Sequence, residues 1–304
     1  MAHCLAALLC FLGMVAVPAR GLEPDIEIPF DFLHNQIVLR ASINGEGPFN
    51  FVLDSGTHLT TIDLALARRL GMPLRAAKRA TSGAGGRRVF GHLATCSELR
   101  AGALTARNVS VAVLDLAGVS QMLGRPLHGV LGFDFVASRV TQIDYFRRRI
   151  RFYSRSPFPP SPDTSRRISF PMEFRANSVL PVLEECYVNG KRIPVTLDTG
   201  SSLGLILFPE AVRHLGLEEL ARAGLPLEAA GYLGKARLTK GFVRSLSLKT
   251  IDLGAIEVAY VERGYGDTES LARRGGNLGN AVLQDFILTL DYPNRVVTVE
   301  AADE

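Results

Sequence analysis

The chain has 304 residues, 47% of them hydrophobic, and a formal net charge of only +4. That is too apolar and too weakly charged for a disordered chain, and its arginines form short clusters (Arg147-Arg148-Arg149 with Arg151, Arg166-Arg167, Arg273-Arg274) with no continuous basic stripe, which argues against nucleic-acid binding. No His-Glu-x-x-His, paired-Cys or Gly-x-Ser-x-Gly pattern occurs, so neither a zinc site nor a serine-hydrolase elbow is supported.

Cys4 to Val17 is an uninterrupted apolar run, and Val17-Pro18-Ala19 is a small-residue cleavage pattern. This predicts a signal peptide over residues 1–19 and an exported protein. The run is short for a membrane span, which needs about 20 residues, so stable insertion is expected only if the segment stays uncleaved as an anchor. Ala7-Leu8-Leu9 lacks the small residues that precede a lipid-modified cysteine, so Cys10 is a poor candidate for one. Without the signal, Cys96 and Cys186 remain, either as one disulfide or as two buried thiols.

From Ile28 to Leu53 the pattern is strand, strand, turn, strand, with Asn44-Gly45-Glu46-Gly47-Pro48 as the turn. Phe51-Val52-Leu53 then reads as a buried strand running into Asp54-Ser55-Gly56-Thr57, and Ile62 to Leu70 as a helix ended by Gly71. Thr81 to His92 is rich in glycine but has no nucleotide-binding context. Residues 154–167, with Pro157, Pro159, Pro160 and Pro162, read as an extended linker between domains at 20–153 and 168–304. The strand pattern restarts at Ile168, and Phe286 to Val299 closes the chain as a strand pair turned at Pro293-Asn294.

The second half repeats the first. Val195-Thr196-Leu197-Asp198-Thr199-Gly200 answers the earlier triplet, with Asp54 and Asp198 144 positions apart. Asn44-Gly45 and Asn189-Gly190 are offset by 145, as are Leu70-Gly71 and Leu215-Gly216. Leu131-Gly132 with Ile143-Asp144-Tyr145 answers Leu278-Gly279 with Leu290-Asp291-Tyr292 at 147. The chain is two copies of one unit, each of ordinary domain size and each contributing one carboxylate.

The order strand, Asp-Ser/Thr-Gly, helix, strands, apolar-Gly, Asp-Tyr strand resembles a retropepsin-like aspartic protease lobe, and two lobes in one chain resemble the pepsin arrangement. The short halves are more similar to bacterial retropepsin-type domains, from which a periplasmic location follows as an expectation. The resemblance implies a mainly β fold of two tandem barrel lobes related by a pseudo-twofold, with a short helix per lobe. It implies that Asp54 and Asp198 are a catalytic dyad, supported by Ser55, Gly56, Thr199 and Gly200 and by the apolar-Gly positions Gly132 and Gly279. It also places a flap hairpin in the glycine-rich stretch, at Gly85, Gly86 and Phe90, with Tyr232 at the comparable place in the second copy; the alternative for that stretch is a plain surface hairpin. Asn277 departs from the repeat, since the first copy has Val130 there, and this bears on the packing of the second lobe. His58, just past the first triplet, reads as a partly exposed loop residue and not as a base.

Such a dyad would activate a water between two carboxylates that share one proton, with no cofactor and no metal. The expected substrate is a peptide or protein lying extended in the interlobe cleft, and the expected form a monomer with lobes paired within the chain. The alternatives are a catalytically silent peptide-binding or inhibitory protein on the same fold, and lobes paired between chains.

Overall fold

A computed structural model of the chain describes residues 22–77, 91–158, 163–174, 181–231, 234–263 and 275–301. Residues 1–19, read above as a signal peptide, and Gly85, Gly86, Phe90 and Tyr232, where a flap is expected, lie outside these residues. Among the described residues no helix is long and apolar enough to cross a membrane.

Two barrel-like sheets and one shared sheet carry the fold. In the first lobe, Gln36–Ile43 and Glu46–Leu53 form a hairpin turned by Asn44 and Gly45, whose φ values of 51° and 84° are the left-handed pair that a tight hairpin turn needs. The Asn44 side-chain oxygen accepts from the Glu98 amide at 3.1 Å and the Ser97 hydroxyl at 2.7 Å, tying the turn to the next strand. Glu46–Leu53 runs parallel to Gly129–Leu131, which pairs antiparallel with Thr61–Asp63, itself parallel to Leu104–Leu114. The long hairpin of His92–Ala101 and Leu104–Leu114 returns to Gln36–Ile43 through Ser42↔Arg100 and Ile43↔Leu99, closing the sheet. Phe49 to Leu53 are all buried, as expected of a central strand, and the polar residue among them, Asn50, donates its side-chain amide to Pro126 O at 2.8 Å.

The second lobe repeats this pairing. Pro181–Val188 and Lys191–Leu197 are turned by Asn189 and Gly190 at φ 49° and 78°, and the Asn189 oxygen accepts from Arg244 and Ser245 amides. Lys191–Leu197 is parallel to Gly276–Leu278, that strand antiparallel to Leu205–Leu207, and that one parallel to Ile256–Arg263.

The third sheet belongs to both lobes. Val140–Asp144 pairs antiparallel with Phe286–Asp291, flanked by Arg149–Tyr153 and Val296–Ala301, with Ile26–Pro29 and Arg167–Pro171 at its edges. Gln142 faces Thr289 at the centre of the pair, and these two residues are themselves repeat counterparts, 147 positions apart. The pseudo-twofold axis therefore passes between them. All five residues of Val140–Asp144 are buried.

One sequence expectation is corrected. The helix predicted over 62–70 spans Leu64–Arg69, because Thr61 and Ile62 are drawn into the barrel as a strand and Asp63 caps the helix, accepting from the Ala65 and Leu66 amides at 3.0 and 3.2 Å. Among the described residues the short helices of the lobes are this one and its counterpart Pro209–Leu215, with Ala117–Leu123 and Phe133–Val136 in the first lobe and Glu218–Ala223 and Asn280–Leu283 in the second. Cys96 and Cys186 are buried free thiols, one in each lobe. Burial pushes both above the ordinary thiol value, Cys186 to about 12.

The shared sheet holds a buried charge. Asp144 has no exposed side-chain surface and accepts from the Arg147 amide at 2.9 Å and from the Arg147 and Arg151 guanidinium groups at 3.1 and 3.0 Å. Burial alone would raise its carboxyl, but these donors outweigh burial and hold it below the ordinary value of 3.8. A depressed folded value means that the stabilisation is present above the unfolded value and is lost as pH falls through the folded one. We therefore expect Asp144→Asn to cost about 1.5–3 kcal/mol at pH 7. That difference from wild type should shrink below about pH 4 in chemical denaturation. A difference that stays constant down to pH 2 would contradict this account.

Candidate active site

The two Asp-containing loops start from matching strand ends. Leu53 and Leu197 are the last residues of their strands, and the amides that follow, of Asp54 and Asp198, donate to Leu131 O at 3.0 Å and Leu278 O at 2.9 Å. Each loop then turns back on its aspartate: Thr57 N donates to Asp54 O at 3.3 Å and Ser201 N to Asp198 O at 3.2 Å. Gly132 and Gly279 lie against these turns. A Cβ on Gly132 would stand 2.6 Å from Thr57 O, and one on Gly279 2.4 Å from Leu203 O, so any side chain there would push the loop away.

The loops meet across the lobes. Ser55 N donates to Thr199 Oγ1 at 2.9 Å, Thr199 N to Ser55 Oγ at 3.3 Å, and Thr199 Oγ1 approaches Leu53 O at 3.4 Å. Both residues are buried, so each hydroxyl has its partner in the other lobe and none in water. Gly200 is where the triplets come closest. A Cβ added to it would lie 2.3 Å from Asp54 Cγ and 2.5 Å from both Asp54 carboxylate oxygens. The Asp54 carboxylate thus faces the backbone of the Asp198 loop.

Each carboxylate is held by donors. Asp54 Oδ1 accepts from the Gly56 amide at 2.7 Å and the Thr57 amide at 3.1 Å, and Asp54 Oδ2 from the Thr57 hydroxyl at 2.8 Å. Asp198 Oδ1 accepts from the Gly200 amide at 3.0 Å and Asp198 Oδ2 from the Asn277 side-chain amide at 3.1 Å. Asp54 is buried, while Asp198 is half-buried. Amide and hydroxyl donors of this kind fix the plane of a carboxyl.

A second ring of contacts fixes the loops from behind. Tyr145 OH donates to Asn280 Oδ1 at 2.8 Å, and Asn280 Nδ2 donates to Thr199 O at 2.7 Å and Asn35 O at 2.9 Å. Asn35 and Gln36, at a first-lobe hairpin turn, donate to Ser202 O and Gly200 O at 3.0 and 2.9 Å. At the pseudo-symmetric place Tyr292 packs edge-on against Phe133 at 5.1 Å. Burial, and then the charge of Asp54, push the Tyr292 phenol far above its ordinary value. His58 is an exposed loop residue whose ring stacks on Phe133, and it makes no hydrogen bond to either aspartate.

Asn277, Thr57, Asn35, Gln36 and Asn280 are missing from the residues that the sequence points to. Thr57 stood there only as the residue after the first triplet, and Asn277 only as a break in the repeat.

Among the described residues no group of three His, Cys, Asp or Glu side chains is placed to hold a metal ion. A cavity of about 610 Å³ on the first lobe, lined by Asp63, Arg69, Arg125 and His128 among others, includes neither aspartate. Its carboxylate Asp63 is taken up by the Ala65, Leu66 and Leu116 amides, which makes it part of the fold.

A comparison with curated proteins gave no match. The family model for aspartyl proteases matches residues 39–135 and again residues 184–291, so that each match contains one Asp-Ser/Thr-Gly triplet and its apolar-Gly partner. Matched twice in this way over more than half its length, the chain belongs to the aspartyl protease family.

Proposed function

We propose that the chain is an endopeptidase that hydrolyses peptide bonds with a water held between Asp54 and Asp198. The observation that carries this reading is the pair of reciprocal Ser55 and Thr199 hydrogen bonds, with the Asp54 carboxylate lying against Gly200 of the other loop. Two carboxylates brought together in this way cannot easily both ionise, so they hold one proton between them and titrate as a pair; aspartic proteases are the standard case of this effect. The ionised member takes a proton from the water as it attacks the peptide carbonyl. The protonated member donates to the developing oxyanion, and the leaving amine takes up a proton as the bond breaks. The donors on each carboxylate keep both oriented while the proton moves.

The substrate is a peptide in extended conformation, and the protein acts as a monomer after export directed by its apolar N-terminal segment. Support for the monomer comes from the intrachain contacts between triplets. The test is binding of a peptide with a statine-type tetrahedral centre against its plain analogue, alongside cleavage of a peptide library from acid to mildly basic pH. The mimic should bind at least about a hundredfold tighter, since only a site built for the transition state distinguishes the two. Equal affinities without cleavage would instead favour a silent peptide-binding protein.

A further inference from the structure

The lobes differ at one pair of positions under the dyad. In the first lobe Val52 and Val130 sit side by side on the parallel strands Glu46–Leu53, which leads into Asp54, and Gly129–Leu131; in the second lobe the same places hold Thr196 and Asn277. Both replacements are polar, both are buried, and they contact each other: the Thr196 hydroxyl donates to the Asn277 side-chain oxygen and lies 3.1 Å from Gly276 O. The Asn277 amide nitrogen is thereby turned toward Asp198 Oδ2, 3.1 Å away. A buried Asn in place of Val costs stability unless its groups find partners, and here one partner is the reactive carboxylate.

We propose that Asn277, braced by Thr196, is a positioning residue of the dyad: it does for Asp198 Oδ2 what the Thr57 hydroxyl does for Asp54 Oδ2. The inference rests on the dyad reading above. Ser201, the repeat counterpart of Thr57, contributes its backbone to the loop, its amide donating to Asp198 O and its carbonyl accepting from Asn280 N at 2.9 Å. The Oδ2 atom of each aspartate therefore has a side-chain donor, reached from within the loop in one lobe and from the neighbouring strand in the other. A donor on Oδ2 favours the ionised form of Asp198, so Asn277 sets the pH range in which the pair holds a single proton.

The decisive variant is Thr196→Val with Asn277→Val, which recreates the apolar pair of the first lobe and so keeps the packing. In this double variant the bell-shaped pH profile of kcat/KM should move up by roughly 0.5–1 unit. The maximum should fall by roughly ten- to a hundredfold as Asp198 loses its orientation. Thr196→Val alone, which leaves the Asn277 amide in place, should move the profile less. Titration of the aspartate carboxyls by 13C NMR reads the same upward shift without relying on turnover. If the folded double variant titrates as the wild type does, the proposal is overturned; a shift to lower pH overturns it too, because Asn277 would then present its oxygen to a protonated Asp198. An upward NMR shift in a protein that cleaves nothing would keep the Asn277 assignment and count against the endopeptidase reading instead.

Discussion

Asp54→Asn and Asp198→Asn should each lower kcat/KM for peptide cleavage by about a thousandfold or more, with the fold retained. Asparagine has the shape of aspartate and keeps an oxygen that can accept from the Gly56 or Gly200 amide, so the loops have no steric reason to move. It cannot take a proton from the water or hand one to the oxyanion, and in the proposed mechanism each of the two carboxyls does one of these in every turnover. The two losses should not add: once either carboxyl is gone the other has no partner, and the double variant should be no slower than the poorer single one. Progress curves on a cleaved library peptide, with thermal unfolding as the check on folding, measure this directly. Cleavage that survives in either single variant would sink a mechanism shared between the lobes.

How far this site was legible in the sequence depends on what kind of signal each residue leaves. Asp54, Ser55, Gly56 and their counterparts were readable because a short motif occurs twice at a nearly constant offset, and duplication turns a weak triplet into a strong one. The mainly β fold was readable for the same reason, since Asn-Gly turns and apolar strands recur with it. The shared six-stranded sheet was not, although Ile143-Asp144-Tyr145 and Leu290-Asp291-Tyr292 were seen to correspond. Periodicity gives the strand but not the strand it pairs with, and here the partner is the strand's own counterpart about 147 residues away.

Asn35, Gln36 and Asn280 escaped notice because they act through single polar side chains reaching a backbone carbonyl in the other lobe, and local composition carries no trace of such contacts. Asn277 was visible as a departure from Val130. Read by itself it was a packing defect; read with the simultaneous change of Val52 to Thr196 it is a matched pair, and comparing the repeats two positions at a time would have found it. The helix start was misjudged because Thr61-Ile62 suits either a helix or a strand, and the barrel decides for the strand.

The second large effect is expected at Gly200. In Gly200→Ala the new methyl would lie 2.3 Å from Asp54 Cγ, a separation that no relaxed contact shows, so one side must give. Neither side is free to do so cheaply. Asp54 is pinned by the Gly56 amide and by the amide and hydroxyl of Thr57, while the Gly200 carbonyl accepts from Gln36 and its amide donates to Asp198. Displacing either carboxylate spoils the alignment for proton transfer, and kcat/KM should fall at least about a hundredfold. The overpacking itself should cost about 1–3 kcal/mol in stability. Gly190→Ala separates the two consequences: its φ of 78° makes alanine strained there, yet nothing lies within 4 Å of the added carbon and the turn is remote from the dyad. That variant should lose roughly 1 kcal/mol but cleave like wild type wherever it is folded. If Gly200→Ala instead retains activity within a few-fold of wild type, the Asp54 carboxylate does not lie against the second loop during turnover, and the shared site would have to be abandoned even if both aspartates proved essential.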